Sequence, residues 1–269
     1  MKTMITGATG QLGRLIIDNL LLKMPQEQIV AGARHPDKAI ELQRQGIEIR
    51  YADYDVPEGL EAAFHDISQL LLISSSHTDD GIRLAQHKRV IEAAVKAGVS
   101  HILYTGFAFP QQQVNVASGN VHTLTERVIL DSGLEYTFLR NALYIDFVNV
   151  LGLKEAIRSG ELITHPGDFR FNSIPREDLA LAASAVLAGS GHSNRIYELA
   201  APHTWSFSDL AAALTSLAGK PITHREDAGV QHWIYSFLKK IDTVSTSNDL
   251  EQLMGRSITS LQDSIVPFV

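Results

Sequence analysis

The chain has 269 residues, 45% of them hydrophobic and 20% charged, which is the balance of a globular protein and excludes a disordered tail or low-complexity scaffold. Its formal net charge of −7 repels phosphate backbones and anionic lipid, so any nucleotide must be held by a local anion site and not by the field of the whole molecule. The absence of cysteine removes disulfides, thiolate zinc sites, iron–sulfur clusters and cysteine nucleophiles together.

Short apolar runs alternate with longer amphipathic segments from the start. Met1–Thr6 reads as a buried strand that meets a glycine turn too soon to hold the apolar region of a signal peptide. Gln11–Lys23 follows as a helix with Leu12, Leu15, Ile16 and Leu20 on one face. Ile29–Ala33 is the second strand; Pro36 then opens a helix that Gly46 closes. After a third strand at Ile47–Tyr51, Asp55 and Glu58 bracket Pro57 as a capping box for a short helix to about Phe64. Gln69–Ile73 is nearly continuous hydrophobe, as expected of a strand covered on both faces. A helix at Gly81–Ala97, a strand at His101–Thr105, a helix at Val121–Asp131 and a strand at Leu134–Arg140 complete the regular alternation.

Beyond Arg140 the rhythm loosens. Asp146–Ser159 reads as helical, Glu161–Thr164 as a short strand, Glu177–Leu187 as a helix and Arg195–Leu199 as strand-like. Ser206 with Asp209 caps an alanine-rich helix ending near Ala218, and a short strand and one or two weaker helices follow Pro221. The expected fold is therefore α/β: a Rossmann-type, doubly wound parallel sheet with right-handed crossovers and a smaller C-terminal α/β lobe. A soft boundary falls near residue 142, giving a nucleotide-binding core at 1–142 and a substrate-side lobe at 143–269 interleaved with it. No apolar run approaches the roughly 20 residues needed to cross a bilayer, so a soluble, cytoplasmic chain is expected.

The strongest chemical signal is Thr6-Gly7-Ala8-Thr9-Gly10-Gln11-Leu12-Gly13, lying between the first strand and first helix of a strand–helix–strand unit. Gly7 can make the tight turn, Gly10 can let backbone approach a pyrophosphate, and Gly13 can let the helix pack on the sheet. The free amides and dipole of the helix start supply the positive end that the net charge does not. No Gly-Lys-Ser/Thr follows, so this is not a P-loop. A chain that prefers NAD carries an acid at the end of its second strand to accept from the ribose 2′-hydroxyl. Here Arg34 stands there, with Lys38 one turn later. A guanidinium suits a 2′-phosphate through charge-assisted hydrogen bonds worth roughly 1.5–3 kcal/mol, or about 10–100-fold in favour of NADPH, with NADH still admitted. The alternative is a solvated arginine at a strand end. Asp53 can accept from an adenine amino group or serve as a turn residue; Ser74, Ser75 and Ser76 can line the nicotinamide ribose or form an ordinary serine turn.

These segments, together with Ala52-Asp53-Tyr54, Leu71–Ser75, Tyr104-Thr105 and Tyr136–Asn141, resemble the NmrA-like atypical short-chain dehydrogenase/reductases. Tyr104–Phe109, Val121-His122 with Thr125-Glu126, and Tyr136–Phe147 are most similar to the family's triphenylmethane-dye reductases and NADPH-dependent type 2 quinone oxidoreductases. The likeness fades beyond Pro221. It implies NADPH held by the backbone of Gly7, Ala8, Thr9, Gly10, Gln11 and Leu12, with Arg34 at the 2′-phosphate and Ser74–Ser76 along the cofactor. It further implies Asn141–Asp146 closing over the nicotinamide end, Arg176 on another cofactor-side loop, and Tyr144 and His122 beside the substrate.

The chain also departs from ordinary short-chain dehydrogenases, which use Tyr-x-x-x-Lys as acid and pKa-lowering partner. The matching helix carries His122-Thr-Leu-Thr-Glu126, with neither Tyr nor Lys, and Gly106 follows Thr105 where the family often has serine. The one Tyr-x-x-x-Lys, Tyr235–Lys239, lies in the weakly matched tail and reads as a helix surface pair. Missing acid machinery argues against sugar epimerisation and leaves hydride delivery to an electron-poor quinone or dye, with Tyr144, His122 and Thr105 as candidate catalytic residues. His122 can instead be a structural helix-start residue. Phe107, Phe109, Tyr144 and Phe147 can form an aromatic pocket for a flat acceptor, or core packing. Eleven histidines show no paired ligand spacing, so no metal is expected. The expected partner is a small-molecule electron acceptor, with no nucleic acid and no membrane, for a monomer or homodimer. The rival reading is an NADP(H)-binding redox sensor without turnover.

Overall fold

The computed structural model describes residues 2–112 and 120–269. Seven strands make one parallel sheet: β1 (Lys2–Ile5), β2 (Ile29–Ala33), β3 (Glu48–Tyr51), β4 (Ile67–Leu72), β5 (His101–Phe107), β6 (Glu135–Asn141) and β7 (Arg195–Leu199). Their order is β7-β6-β5-β4-β1-β2-β3, so the chain reverses direction across the sheet between β1 and β4. In such sheets that reversal opens a crevice at the carboxyl ends of the strands, where ligands sit.

Alternation along the strands builds two hydrophobic layers. Ile5, Leu71, Leu103, Leu139 and Leu199 face one side and are covered by α1 (Gln11–Leu20) through Ile16, Ile17 and Leu20, and by Leu179, Ala183 and Val186 of a helix at Arg176–Ala188. Met4, Leu70, Leu72, Ile102, Tyr104 and Phe138 face the other, under a helix at Asp80–Lys96 through Val90, Ile91 and Ala94 and under Ile129 of a helix at Val121–Ser132. A third, aromatic cluster lies in the C-terminal residues, where Phe147, Phe171, Trp205, Phe207 and Tyr235 pack around a helix at Phe207–Ala218. Beside it the strand Glu161–Thr164 pairs in parallel with Thr223–Glu226.

The sheet draws on both sides of residue 142. After the excursion at 143–175 the chain returns as the Arg176–Ala188 helix on α1 and as β7, which pairs with Thr137–Asn141.

Local differences from the sequence reading have identifiable causes. The segment read as one helix at Asp146–Ser159 is a 3₁₀ turn at Ile145–Leu151 and an α-helix at Leu153–Ser159, broken at Gly152 with φ +71°. Met1, placed in the first strand by sequence, lies outside the described residues. Asp55 does not cap the Pro57–Ala63 helix, whose N-cap is Val56 without a side-chain bond. The Asp55 carboxylate instead accepts from Gln86 Nε2 at 2.9 Å and pairs with Arg89, because the Asp80–Lys96 helix packs alongside. The Ser206/Asp209 capping box forms as the spacing predicts.

Candidate functional site

The glycine turn leaves β1 and opens α1. Gly7 has φ +61°, a conformation costly for any residue with a Cβ. Its carbonyl accepts from the Gly10 amide at 2.9 Å, folding the loop back on itself. That carbonyl then lies against α1: a Cβ on Gly13 would stand 2.4 Å from it. Gly10 is the N-cap of α1, no side chain caps the helix, and its first turn holds no acid. The start of a ten-residue helix thus carries no side-chain cap, and a helix start left so is suited to an anion. Ala8 and Leu12 are buried and fix the loop from behind, Ala8 also donating its amide to the Gly32 carbonyl.

A groove of about 370 Å³ starts at this turn, with Gly7, Thr9 and Gly10 at one end. Arg34 and Lys38 make the rim beyond β2 cationic, with His35 beside them, and the three side chains make no ion pair among the described residues. Asp53 faces the groove but also holds a turn, its Oδ1 accepting from the Asp55 amide at 3.0 Å. Beneath, the buried Tyr54 hydroxyl lies 2.5 Å from the Thr6 hydroxyl and 3.0 Å from the Ile73 carbonyl, clamping the ends of β1 and β4 together. Burial raises the pKa of that phenol.

Ser74, Ser75 and Ser76 line the far side. The Ser74 amide donates to Thr105 Oγ1 at 2.9 Å, so Thr105, buried at the end of β5, holds the loop from below. Three residues of the Asp80–Lys96 helix secure the rest. Arg83 donates to the Ser75 carbonyl and Ser74 Oγ at 3.0 Å each, Gln86 accepts from Ser75 Oγ, and His87 Nε2 accepts from the Ser75 amide at 2.9 Å. Since Nε2 accepts, His87 carries its proton on Nδ1 and donates to Thr125 Oγ1 at 2.8 Å. Burial and the nearby Arg83 charge lower its pKa to about 3, so the ring stays neutral.

His122 joins the same network. Its Nδ1 lies 2.8 Å from the Tyr104 hydroxyl and its Nε2 3.3 Å from Arg83 Nη2. A guanidinium only donates, so Nε2 accepts and Nδ1–H donates to Tyr104. Burial, then Arg83 and His87, hold the His122 pKa at about 3. Both ring nitrogens are engaged.

A second group gathers past the end of β6. Asn141 Nδ2 lies 3.4 Å from the Tyr144 hydroxyl, the Arg176 guanidinium sits 4.2 Å above the Tyr144 ring, and Arg176 pairs with Asp146. Parallel pairing of Leu143–Tyr144 with Ser173–Ile174 brings these segments together. Burial raises the Tyr144 pKa. The four aromatics, read from sequence as an acceptor pocket or as core packing, do not gather in one pocket. Phe147 stacks on Trp205 in the C-terminal core, Phe107 lies beside His122, and Phe109 and Tyr144 pack against the α1-side core.

Glu126, four residues after His122, has a structural partner: it grips buried Arg140 at 2.8 and 2.7 Å, while Arg140 also reaches Glu198 at 2.8 Å. Among the described residues no group of histidines and acids is arranged to hold a metal. Sequence reasoning missed Tyr54, Arg83, Gln86 and His87. A signal existed for three of these, because Arg83, Gln86, His87 and Val90 recur at helical spacing and put polar groups on the face carrying the apolar stripe.

Residues 7–189 match the family model described as NAD(P)H-binding. Over 97% of this chain and 96% of the relative, the sequence is 36% identical to quinone oxidoreductase 2 of Escherichia coli K12. The chain belongs to the NAD(P)H-binding, NmrA-like family. Solved family structures superimpose along its whole length. The Citrobacter sp. triphenylmethane reductase complexed with NADP(H) is 39% identical with a TM-score of 0.91, covering 100% of both chains. The NADPH-dependent quinone oxidoreductase of E. coli complexed with NADPH is 35% identical with a TM-score of 0.85, covering 98% of both.

Proposed function

We propose that this protein is an NAD(P)H-dependent oxidoreductase, with NADPH preferred, that delivers hydride to a quinone, a dye or a similar flat electrophile. The observation that carries the reading is the uncapped start of α1 behind the Gly7–Gly13 turn, continued by a groove whose rim is cationic at Arg34 and Lys38. A pyrophosphate fits free helix amides, and a 2′-phosphate fits an unpaired guanidinium. The similarity to a quinone oxidoreductase and a triphenylmethane reductase supports the acceptor class.

When bound, the nicotinamide supplies the hydride. The protein's contribution is placement: Gly7–Leu12 hold the pyrophosphate, Arg34 the 2′-phosphate, and the Ser74–Ser76 loop the far end of the groove. Thr105 and His122 act in this account through that loop, Thr105 by accepting from Ser74 and His122 through Arg83. Asn141, Tyr144 and Arg176 shape the wall beyond β6. An electron-poor acceptor suits a chain without Tyr-x-x-x-Lys at this helix, because the hydride can transfer without prior protonation of the acceptor. The reading also carries a small-molecule acceptor, a cytoplasmic location and a monomeric or homodimeric chain; among the described residues no helix is long and apolar enough to cross a membrane.

The engagement of both His122 nitrogens favours a second reading, an NADP(H)-binding redox sensor that does not turn over. The test is NADPH oxidation with a panel of quinones and triphenylmethane dyes. Acceptor-dependent oxidation supports the reductase; cofactor binding without oxidation above background refutes it in favour of the sensor.

A further inference from the structure

A cleft of about 440 Å³ opens in the C-terminal residues and shares no lining residue with the dinucleotide groove. Its walls are rings. His165 lies 5.4 Å from Tyr235, which is backed by Phe169 at 5.6 Å, and His232 lies 5.5 Å from Trp233. Trp233 is 64% exposed, whereas Trp205, the other tryptophan, is 8% exposed inside the core. An indole left in water on a wall of a ring-lined cleft offers a stacking face.

The electrostatics of the cleft oppose those of the chain. Net charge is −7, yet among the described residues no carboxylate lines this cleft, and Lys239 does. Its ammonium pairs with no carboxylate among the described residues and lies 5.9 Å from the Phe169 ring. Ser236 adds a hydroxyl and Gln231 an amide on the rim. The Tyr235–Lys239 spacing, read from sequence as a helix surface pair, thus has a different outcome: Tyr235 is buried at 5% exposure, and both residues line the cleft.

We infer that this cleft is a binding site for a planar aromatic anion, its ring system against Trp233 and Tyr235 and its acidic substituent toward Lys239. Ring walls alone would accept any flat molecule; an ammonium that forms no ion pair among the described residues favours the anion. A triphenylmethane cation gains nothing from Lys239, so this site differs in ligand charge from one built for cationic dyes.

The probe is anthraquinone-2-sulfonate, titrated calorimetrically into the full-length protein without NADPH. A saturable site is expected whose affinity depends on Trp233 and Lys239. Trp233→Ala should weaken it roughly tenfold through lost stacking. Lys239→Gln should weaken it roughly fivefold and flatten its salt dependence, while leaving the uncharged 1,4-naphthoquinone unaffected. Both side chains are exposed, so neither change threatens folding. No heat of binding, or wild-type affinity in both variants, would overturn the assignment; the latter would place the sulfonate elsewhere. So would shielding of Trp233 from acrylamide that grows with protein concentration while the sulfonate fails to bind, since a second copy would then cover the cleft. NADPH is titrated separately into the same three proteins. Its failure to bind would sink the reductase reading without touching this one.

Discussion

Gly13→Ala tests the geometry of the dinucleotide turn. The added methyl would stand 2.4 Å from the Gly7 carbonyl oxygen and 3.0 Å from both Gly7 C and Ala8 Cα. The first distance is more than 1 Å inside the roughly 3.5 Å of optimal contact. All three neighbours are backbone, so no side chain can swing aside; the loop or the helix must move. Such overpacking costs about 1–3 kcal/mol, of which alanine's better helix propensity returns up to about 1 kcal/mol. The net loss of about 0–2 kcal/mol lowers Tm by up to roughly 8 °C in a chain of this size. Affinity should fall further than stability, because the displaced carbonyl belongs to the turn that aims the α1 amides. A loss of at least about tenfold for NADPH is expected, equivalent to about 1.4 kcal/mol. Gly10→Ala, whose Cβ would lie 3.2 Å from the same oxygen, should be milder. Thermal unfolding and calorimetric titration of the two variants check the ranking. A Gly13→Ala protein with wild-type Tm and wild-type NADPH affinity would refute the reasoning.

Arg34→Asp should erase a roughly 10–100-fold preference for NADPH over NADH, measured by titration with both; unchanged selectivity would remove Arg34 from the 2′-phosphate. Glu126→Leu leaves buried Arg140 with only Glu198, and should cost about 3–5 kcal/mol in chemical denaturation. His87, with a pKa near 3 when folded and about 6.5 when unfolded, takes up its proton first in the unfolded chain. Stability is therefore full above pH 6.5 and falls as the pH drops toward 3, by about 2 kcal/mol at pH 5 for this one ring. His87→Gln keeps an acceptor for the Ser75 amide without the titration, so its Tm should fall less between pH 7 and pH 5 than that of the wild type; parallel curves would contradict the assigned role.

The fold was legible where burial imposes a pattern. Gln69–Ile73 had to be covered on both faces, and β4 lies inside the sheet, flanked by β1 and β5. The glycine turn was legible because each glycine answers a separate constraint, a positive φ at Gly7 and a backbone contact at Gly13. Arg195–Leu199 read as a strand, but its place beside β6 depends on a return over more than fifty residues, which no local period encodes. The break at Gly152 was hidden because apolar spacing continues through it from Val148 to Leu153. At the site, residues displayed on strand ends were visible, whereas His87 and Arg83 act from the buried face of a helix that was read from sequence for its span alone. Tyr235–Lys239 shows the converse, a spacing that fits a known pair but takes its meaning from the aromatic core around it.

An acidic molecule captures a polyanion here through the start of α1 and the Arg34 rim. Calorimetric titration of the folded wild-type protein with NADPH and NADH tests this most directly. Saturable one-site binding of both, tighter for NADPH by about 10–100-fold, is the predicted result. No heat of association with either nucleotide would contradict it.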